Sequence, residues 1–397
     1  MLIVFLVIVL DLIGFGIMVP ILAYYVVQLG GGPELATFCM ALYAIGMLIS
    51  TPILGRLSDF HGRRPILMLS MVGAIIGYLM LGFAESLWVV ALSRLLAGLM
   101  AGNIAAAQAY ITDITSEENR AKGMGLIGAA FGLGIVLGPM LGGLLSGDSA
   151  SFTLPCIFAG GMSVLAIIAA ALFLPESLPA ERRAAHRQEQ RSGQRLSVYK
   201  MLHNTGNRLL TLQYVLHTLC VSSLTYLFPL WAGDLLQWNA KEVGIVFGVQ
   251  GAIMVLFQGG LMGPLVRWLG EWQFLRLAVS TFFLGLLCAA FATTMPFMVG
   301  SMFVAMTGAT LCMPLMNTIV SQRTPTQYRG RMLGTSSAAA SWGRVIGPLM
   351  AGTNLALFGY RGAWLGCVFV ISFYLIWVFR EYTRQKNAAT GAIRGGS

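Results

Sequence analysis

Twelve apolar runs, each close to the roughly 20 residues a helix needs to cross a bilayer, occupy most of this 397-residue chain. They fall near 2–27, 36–55, 66–84, 87–112, 123–146, 153–174, 207–232, 243–264, 273–293, 296–320, 332–356 and 362–381. Backbone polar groups in hydrocarbon must be satisfied internally, which leaves only helices and closed barrels as spanning structures, and runs of this length suit helices. Charged residues make up 10% of the chain, against about 25% in soluble proteins, so a soluble globular domain is excluded. The expected fold class is an all-α integral membrane protein with twelve transmembrane helices. The first run has no basic region before it and no Ala-x-Ala cleavage site, so it reads as a retained helix and not a signal peptide.

The chain also repeats. Gly55-Arg56-Leu57-Ser58-Asp59-Phe60-His61-Gly62-Arg63-Arg64 returns in worn form as Gly263-Pro264-Leu265-Val266-Arg267-Trp268-Leu269-Gly270. Thr115, Arg120, Lys122 and Gly125 return as Thr324, Arg329, Arg331 and Gly334; Gly138-Pro139 returns as Gly347-Pro348, and Pro20 as Pro229. A shared shift of 208–209 residues, built on hydrophobic segments, is the mark of a two-lobed transporter. The expected organisation is a six-helix bundle over 1–174, a cytoplasmic linker over 175–206, a second six-helix bundle over 207–382, and a tail without fixed structure over 383–397. The hydrophilic, Arg- and Gln-rich composition of 175–206 fits a linker between bundles.

The net charge of +10 is unevenly placed. With both termini on the cytoplasmic side, 21 of the 25 Lys and Arg lie in inside loops and tail, only Lys241 and Arg361 face outward, and Arg94 and Arg344 lie within the membrane. This positive-inside bias fixes the topology. The basic excess is then a lipid-surface signal, and no nucleic acid partner is expected. Six cysteines (Cys39, Cys156, Cys220, Cys288, Cys312, Cys367) are scattered without pairing, which suits apolar packing better than ligands or disulfides. No metal site and no cofactor are expected. A Gly-x4-Gly-Lys-[Ser/Thr] phosphate loop does not occur, so ATP hydrolysis is not the expected energy source; the expected one, on the grounds given below for Asp11, is a proton gradient.

The fifth run carries Gly125-x8-Gly134-x3-Gly138-Pro139-x2-Gly142-Gly143. Glycines at helical spacing leave a groove for a close neighbour, and Pro139 bends its helix by removing a backbone donor. This pattern resembles the antiporter motif of major facilitator superfamily exporters. Gly55–Arg64 resembles that superfamily's loop between helices two and three, and Asp11-Leu-Ile-Gly14-Phe-Gly16-Ile-Met-Val-Pro20 resembles the tetracycline–proton antiporters and related drug exporters. The resemblance implies the major facilitator fold, alternating access and an export role. It also implies a cytoplasmic gate of Gly55, Asp59, Gly62, Arg63, Arg64 and Asp113, with Asp59 facing the start of the eleventh helix near Gly330–Gly334. A helix start attracts an anion, and Gly55 and Gly62 suit a tight turn. Arg267 stands where Asp59 would recur, so one half alone keeps the acidic latch.

Asp11 lies inside the first run among Val9, Leu10, Leu12 and Ile13. A carboxylate there costs several kcal/mol unless paired or protonated. Arg94 falls at a similar depth at 1.5 Å rise per residue, and Arg94-Leu-Leu-Ala-Gly98 resembles the superfamily's fourth-helix arginine motif. Two readings of Asp11 and Arg94 stand: proton coupling, in which Asp11 alternates between its proton and a link to Arg94 or substrate, and a permanent ion pair. Arg344 has no acid in the C-terminal runs, which leaves a carbonyl, Asp11 or an anionic substrate group as partner. The resembled tetracycline carriers rely on an acid in the ninth run; this chain has none between Trp272 and Thr293, which puts tetracycline itself in doubt. His217 either joins the proton path or packs as a hydrogen-bonded histidine.

Candidate cavity residues are Phe15, Met18, Tyr24, Tyr43, Gln108, Phe131, Tyr214, His217, Tyr226, Gln250, Gln258, Met313, Asn317, Trp342 and Arg344. Aromatic, Met and amide groups suit an amphiphilic organic molecule better than a sugar. The expected function is a monomeric, proton-coupled antiporter in a bacterial inner membrane, exporting a small organic substrate. The alternative is a proton-linked importer or facilitator of the same fold. An intramembrane enzyme would need paired acids or a His/Cys cluster, which these runs lack.

Overall fold

A computed structural model describes residues 2–116, 120–147, 151–178, 205–325 and 329–394, and among them the chain is helical with no strand. The side chains of some helical residues lie outside that description, including the expected site residues Gly125 and Phe131, and Gly330 at the expected latch. The helices are α1 (Leu2–Gln28), α2 (Pro33–His61), α3 (Arg63–Gly82), α4 (Leu87–Met100), α5 (Asn103–Ile114), α6 (Arg120–Ser146) and α7 (Thr153–Phe173). After the gap come α8 (Thr205–Leu236), α9 (Ala240–Leu256), a π-helical turn (Phe257–Leu261), α10 (Met262–Leu269), α11 (Glu271–Phe291), α12 (Met295–Arg323) and α13 (Arg329–Arg394).

Ten helical stretches among the described residues are long and apolar enough to cross a membrane, counting α4 and α5 as one and α9 to α10 as one. One of the ten, Met332–Gln385, has 54 residues, enough for two crossings at about 20 residues each. Gly359, at φ 66°, leaves the helical conformation within it and separates the eleventh span from the twelfth. With α6, whose apolar part is Gly132–Ser146, this is the twelve-helix arrangement expected from the apolar runs. Large apolar side chains cover the outside, and Trp88 and Trp268 are the most exposed of them at 86% and 80%. The chain is a multi-pass membrane protein.

Two details depart from the apolar pattern. The fourth run is not one helix: the Ala101 N–H turns back to Gly98 O (3.0 Å), and Gly102 precedes a new helix at Asn103. The eighth run is interrupted by the π-turn, where Gly259-Gly260 weakens the α-helical preference. The tail expected after residue 382 is helical to Arg394, in keeping with its Ala, Gln, Lys and Arg content.

The chain divides into two compact units, Met1–Ser197 with Pro229–Gly251, and Val198–Phe228 with Ala252–Ser397. In the first, α1 is central, packed chiefly on α6 and α7, with Ile17, Ile21, Leu22 and Val26 fully buried. Alongside, α2 packs on α4, and α3 on α7 and α4. The second unit is built around α11, which packs on α12 and α13, with Phe282, Leu286, Trp364 and Tyr374 in its core.

Candidate functional site

At one end of the first unit, the loop residues singled out in the sequence form a closed network. Gly62 joins α2 to α3 at φ 105°, a conformation that costs any residue with a β-carbon. The turn drives Arg63 inward, where it is buried. Its Nη1 pairs with Asp59 Oδ1 at 2.5 Å and donates to Ser58 Oγ at 2.7 Å, and its Nε pairs with Asp113 Oδ2 at 3.1 Å. Arg64 Nη2 donates to Ala171 O at 2.5 Å. Gly55 is not in a turn as expected: α2 runs on through it to His61, and only Gly62 of the two makes the turn. Gly55 sits one helical turn before Asp59, and its carbonyl accepts from Ser58 Oγ (2.7 Å). Asp59, Arg63 and Asp113 are thus brought together.

Three residues of this network were not singled out. Glu176 Oε1 accepts from the Arg63 N–H (2.8 Å) and Oε2 from the Arg64 N–H (3.3 Å), satisfying the free donors at the start of α3 as a capping side chain does. Ser177 Oγ donates to Asp113 Oδ2 at 3.2 Å, and Tyr110 OH to Pro175 O at 2.8 Å. Leu174 and Leu178 are buried. The first residues of the expected linker therefore belong to the bundle. The signal available in the sequence was Leu174-Pro175-Glu176-Ser177 itself, whose Glu follows an apolar helix end.

Deeper in the same unit, Asp11 Oδ2 accepts from Asn103 Nδ2 at 2.5 Å. The pair borders a cavity of about 10 Å³ lined also by Ile8, Leu67, Met71 and Ala107, roughly the space of one water molecule. Asp11 and Arg94 do not form an ion pair. Arg94 is buried at 3% exposure, with Nε at 3.4 Å from Ser93 Oγ and Nη2 at 3.4 Å from Gly77 O. The residue of the fourth run that reaches Asp11 is Asn103, nine positions past Arg94 and so about 13 Å further along a helix at 1.5 Å rise per residue.

The glycines of α6 are committed mainly to α1. A methyl group at Gly138 would stand 2.5 Å from Gly16 Cα, and one at Gly16 would stand 2.5 Å from Gly134 O. Gly142 likewise abuts Ile17. Among the described glycines of α6, Gly143 meets α9, together with Pro139 O, Met140 and Val136, and Gly244, Gly248 and Gly251 line the facing stripe. The spacing Gly244-x3-Gly248-x2-Gly251 was legible in the sequence as a second small-residue seam.

The expected cavity residues scatter. Phe15 stacks on Tyr43 at 5.1 Å between centroids. Met18, by contrast, is buried with its sulfur 4.0 Å from Cys156 Sγ, on the face of α1 that packs against α7. Tyr24 lies against Gly233, and Gln108 is exposed on α5. In the second unit, Tyr214 OH donates to Asn317 Oδ1 (2.7 Å) and Gln258 Nε2 to Thr310 O (3.2 Å). His217 is buried edge-on between Phe282 and Tyr374, at 5.9 and 6.2 Å, the surroundings of a packing histidine. Arg344 Nη2 donates to Ser341 Oγ at 3.0 Å. Gln250 is buried, Tyr226 and Met313 are half-buried, and Trp342 is 55% exposed. The six cysteines are free thiols and five are buried.

Two units built from helices of membrane-spanning length, with buried charge at Asp11 and Arg94, have the layout of a membrane transporter. The profile of the Major Facilitator Superfamily matches residues 4–295 and 274–394. The chain is 30% identical over 390 residues to the tetracycline resistance protein, class G, of Vibrio anguillarum, covering 96% of each. It is 28% identical to the class H protein of Pasteurella multocida over 98% of each. Among solved structures, the human organic anion transporter MFSD10 is similar at a TM-score of 0.69 and 22% identity, over 95% of this chain and 98% of that one. A D-xylose–proton symporter is similar at 0.77 and 16%, over 95% and 96%. The chain belongs to the Major Facilitator Superfamily and carries a small-molecule substrate.

Proposed function

We propose that this protein is a proton-coupled antiporter that exports small amphiphilic organic compounds across a bacterial inner membrane. It works by alternating access between lobes 1–174 and 207–382, with both termini cytoplasmic. The observation that carries the reading is Asp11, a lone acid among apolar residues of α1, beside a water-sized cavity. An intramembrane acid is costly and is a functional site by default. The similarity to tetracycline resistance proteins supports export of a drug-like compound, while the absence of an acid between Trp272 and Thr293 argues for a substrate other than tetracycline.

In this scheme Asp11 takes up a proton when its cavity opens to one side and releases it when the cavity opens to the other. Substrate moves in the opposite sense, with the Asp59–Arg63–Asp113 network closing the cytoplasmic end in one of the two states. The cation at Arg94 lies 3% exposed, without an acid within ion-pair distance among the described residues, which suits it to attract an anionic part of the substrate.

The test is reconstitution into liposomes with an imposed pH gradient and a panel of dyes, antibiotics and organic anions. Antiport predicts substrate movement against the proton flux. Asp11→Asn abolishes gradient-driven movement and leaves substrate binding measurable. Co-directional movement of proton and substrate refutes export by antiport, and undiminished driven transport in Asp11→Asn refutes the role of Asp11.

A further inference from the structure

Asn103 is placed with unusual care for a neutral residue. The fourth span stops at Met100, turns through Ala101 and Gly102, and restarts as α5 with Asn103 as its first residue. The turn is packed tightly: a methyl group at Gly102 would lie 2.6 Å from Leu54 Cδ1. The Asn103 side chain is held at 8% exposure, and its Nδ2 reaches Asp11 Oδ2 at 2.5 Å. An amide nitrogen is a donor in every protonation state of its partner. It therefore stabilises the ionised carboxyl group more than the neutral one, without adding a second charge.

The other groups around Asp11 leave that role to Asn103. On α3, Leu67 and Met71 face it, and Tyr78 is near enough to interact electrostatically. On α4, Arg94 turns to Ser93 and Gly77. From α2 come Tyr43, stacked on Phe15, and Asp59, tied to Arg63 with Asp113 of α5; the Tyr110 hydroxyl of α5 is tied to Pro175. The ionisable residues of α6, Arg120 and Lys122, are in its first turn. On α7, Cys156 is beside Met18. Ile104 and Ala107 complete the cavity wall from α5, so the carboxyl group also faces the positive end of that helix.

We propose that Asn103, and not Arg94, is the positioning residue that orients Asp11 and sets the pH at which it exchanges its proton. The proposal rests on the reading of Asp11 as the proton site, and the experiment separates the two. The carboxyl band of Asp11 is followed by infrared difference spectroscopy during pH titration of the reconstituted full chain, and is assigned by its loss in Asp11→Asn. No substrate is needed.

In Asn103→Ala the titration midpoint moves to higher pH by roughly one to two units, the span set by one hydrogen bond to a charged group. The protonated band moves to higher wavenumber as its donor is lost. Asn103→Ser, which keeps a shorter donor, falls between and also serves if the alanine variant fails to fold. Arg94→Gln leaves the midpoint within a few tenths of a unit. An unmoved midpoint in Asn103→Ala and Asn103→Ser, or a larger shift in Arg94→Gln, overturns the proposal while Asp11 keeps its role. A chain in which Asp11→Asn removes no titrating band refutes the proposal together with the reading beneath it.

Discussion

Replacing Arg63 by alanine removes one buried cation from between two carboxylates. The side chains of Asp59 and Asp113 are 25% and 17% exposed, and that of Arg63 is 7% exposed. An exposed pair contributes up to about 1 kcal/mol, while stripping one partner from a fully buried pair costs about 3–5 kcal/mol. The two carboxylates can be partly rehydrated, so the loss falls between these limits, at about 2–3 kcal/mol for opening of the first unit. Cys39 and Cys156 are buried in that unit and become reactive when it opens. With Cys220, Cys288, Cys312 and Cys367 replaced by serine or alanine, labelling of Cys39 and Cys156 by a fluorescent maleimide reports the opening. Where opening is fast compared with labelling, Arg63→Ala accelerates the reaction by roughly 30- to 150-fold. Asp113→Asn accelerates it less, and the double variant falls short of the product of the two, because residues in one network couple by about 0.5–3 kcal/mol. Labelling at the parent rate in Arg63→Ala, or strictly multiplicative effects in the double variant, refutes the network as a stabilising unit.

Glu176→Ala uncaps α3 and frees Pro175–Leu178, at about 1–2 kcal/mol for a lost capping side chain. Limited proteolysis in the 175–206 region then cuts closer to Leu174 than in the parent, and an unchanged cleavage pattern counts against the docked segment. Gly138→Val drives a β-branched side chain into Gly16, where even a single methyl carbon would sit 2.5 Å from Cα. Backbone on both sides cannot yield cheaply, so size-exclusion chromatography in detergent shows aggregation in place of a single symmetric peak, whereas Gly161→Val, with open space around it, elutes as the parent does.

The twelve spans were legible because hydrocarbon leaves a chain so few options: length and apolarity alone specify a helix. The pairing around Gly62 was legible for a different reason. A glycine at positive φ, basic residues after it and an acid one turn before it leave a local trace, and Gly62, Arg63 and Asp59 are neighbours in sequence. What was not legible depends on contacts across long separations. Glu176 reaches α3 from 112 or 113 residues away, and nothing in its local sequence says that its oxygens meet the first N–H groups of that helix. Asn103 was passed over because it is neutral, and a search for intramembrane charges does not register the amide that balances one. Arg94 was paired with Asp11 by counting depth along an unbroken fourth helix. Asn103 lies nine residues past Arg94, about 13 Å along a helix, and the run ends from which depth was counted are not fixed by apolarity alone, so the count set the wrong residue of that span beside Asp11.

The internal repeat has a physical content that the motif comparison understated. Gly62 at φ 105° and Gly270 at φ 75° are 208 positions apart, and each opens the next helix of its own unit. In the first unit the residue after the glycine, Arg63, ties to Asp113. In the second, Glu271 Oε1 accepts from Gln322 Nε2 at 2.8 Å, the positions 208 and 209 residues on. There Arg323 pairs with Glu381 at 2.5 Å and stacks over Trp272 at 4.7 Å. The acidic latch residue is absent from the second half, where Arg267 stands in place of Asp59, yet a tie between two of the corresponding helix ends persists, now between a carboxylate and a neutral amide. A turn that must be glycine, followed by a side chain that must find a partner, conserves the geometry of the joint while leaving the sign of its charge free. Each unit can therefore hold its helix ends rigid by its own chemistry, and rigidity within a unit is what alternating access by rocking of whole lobes requires.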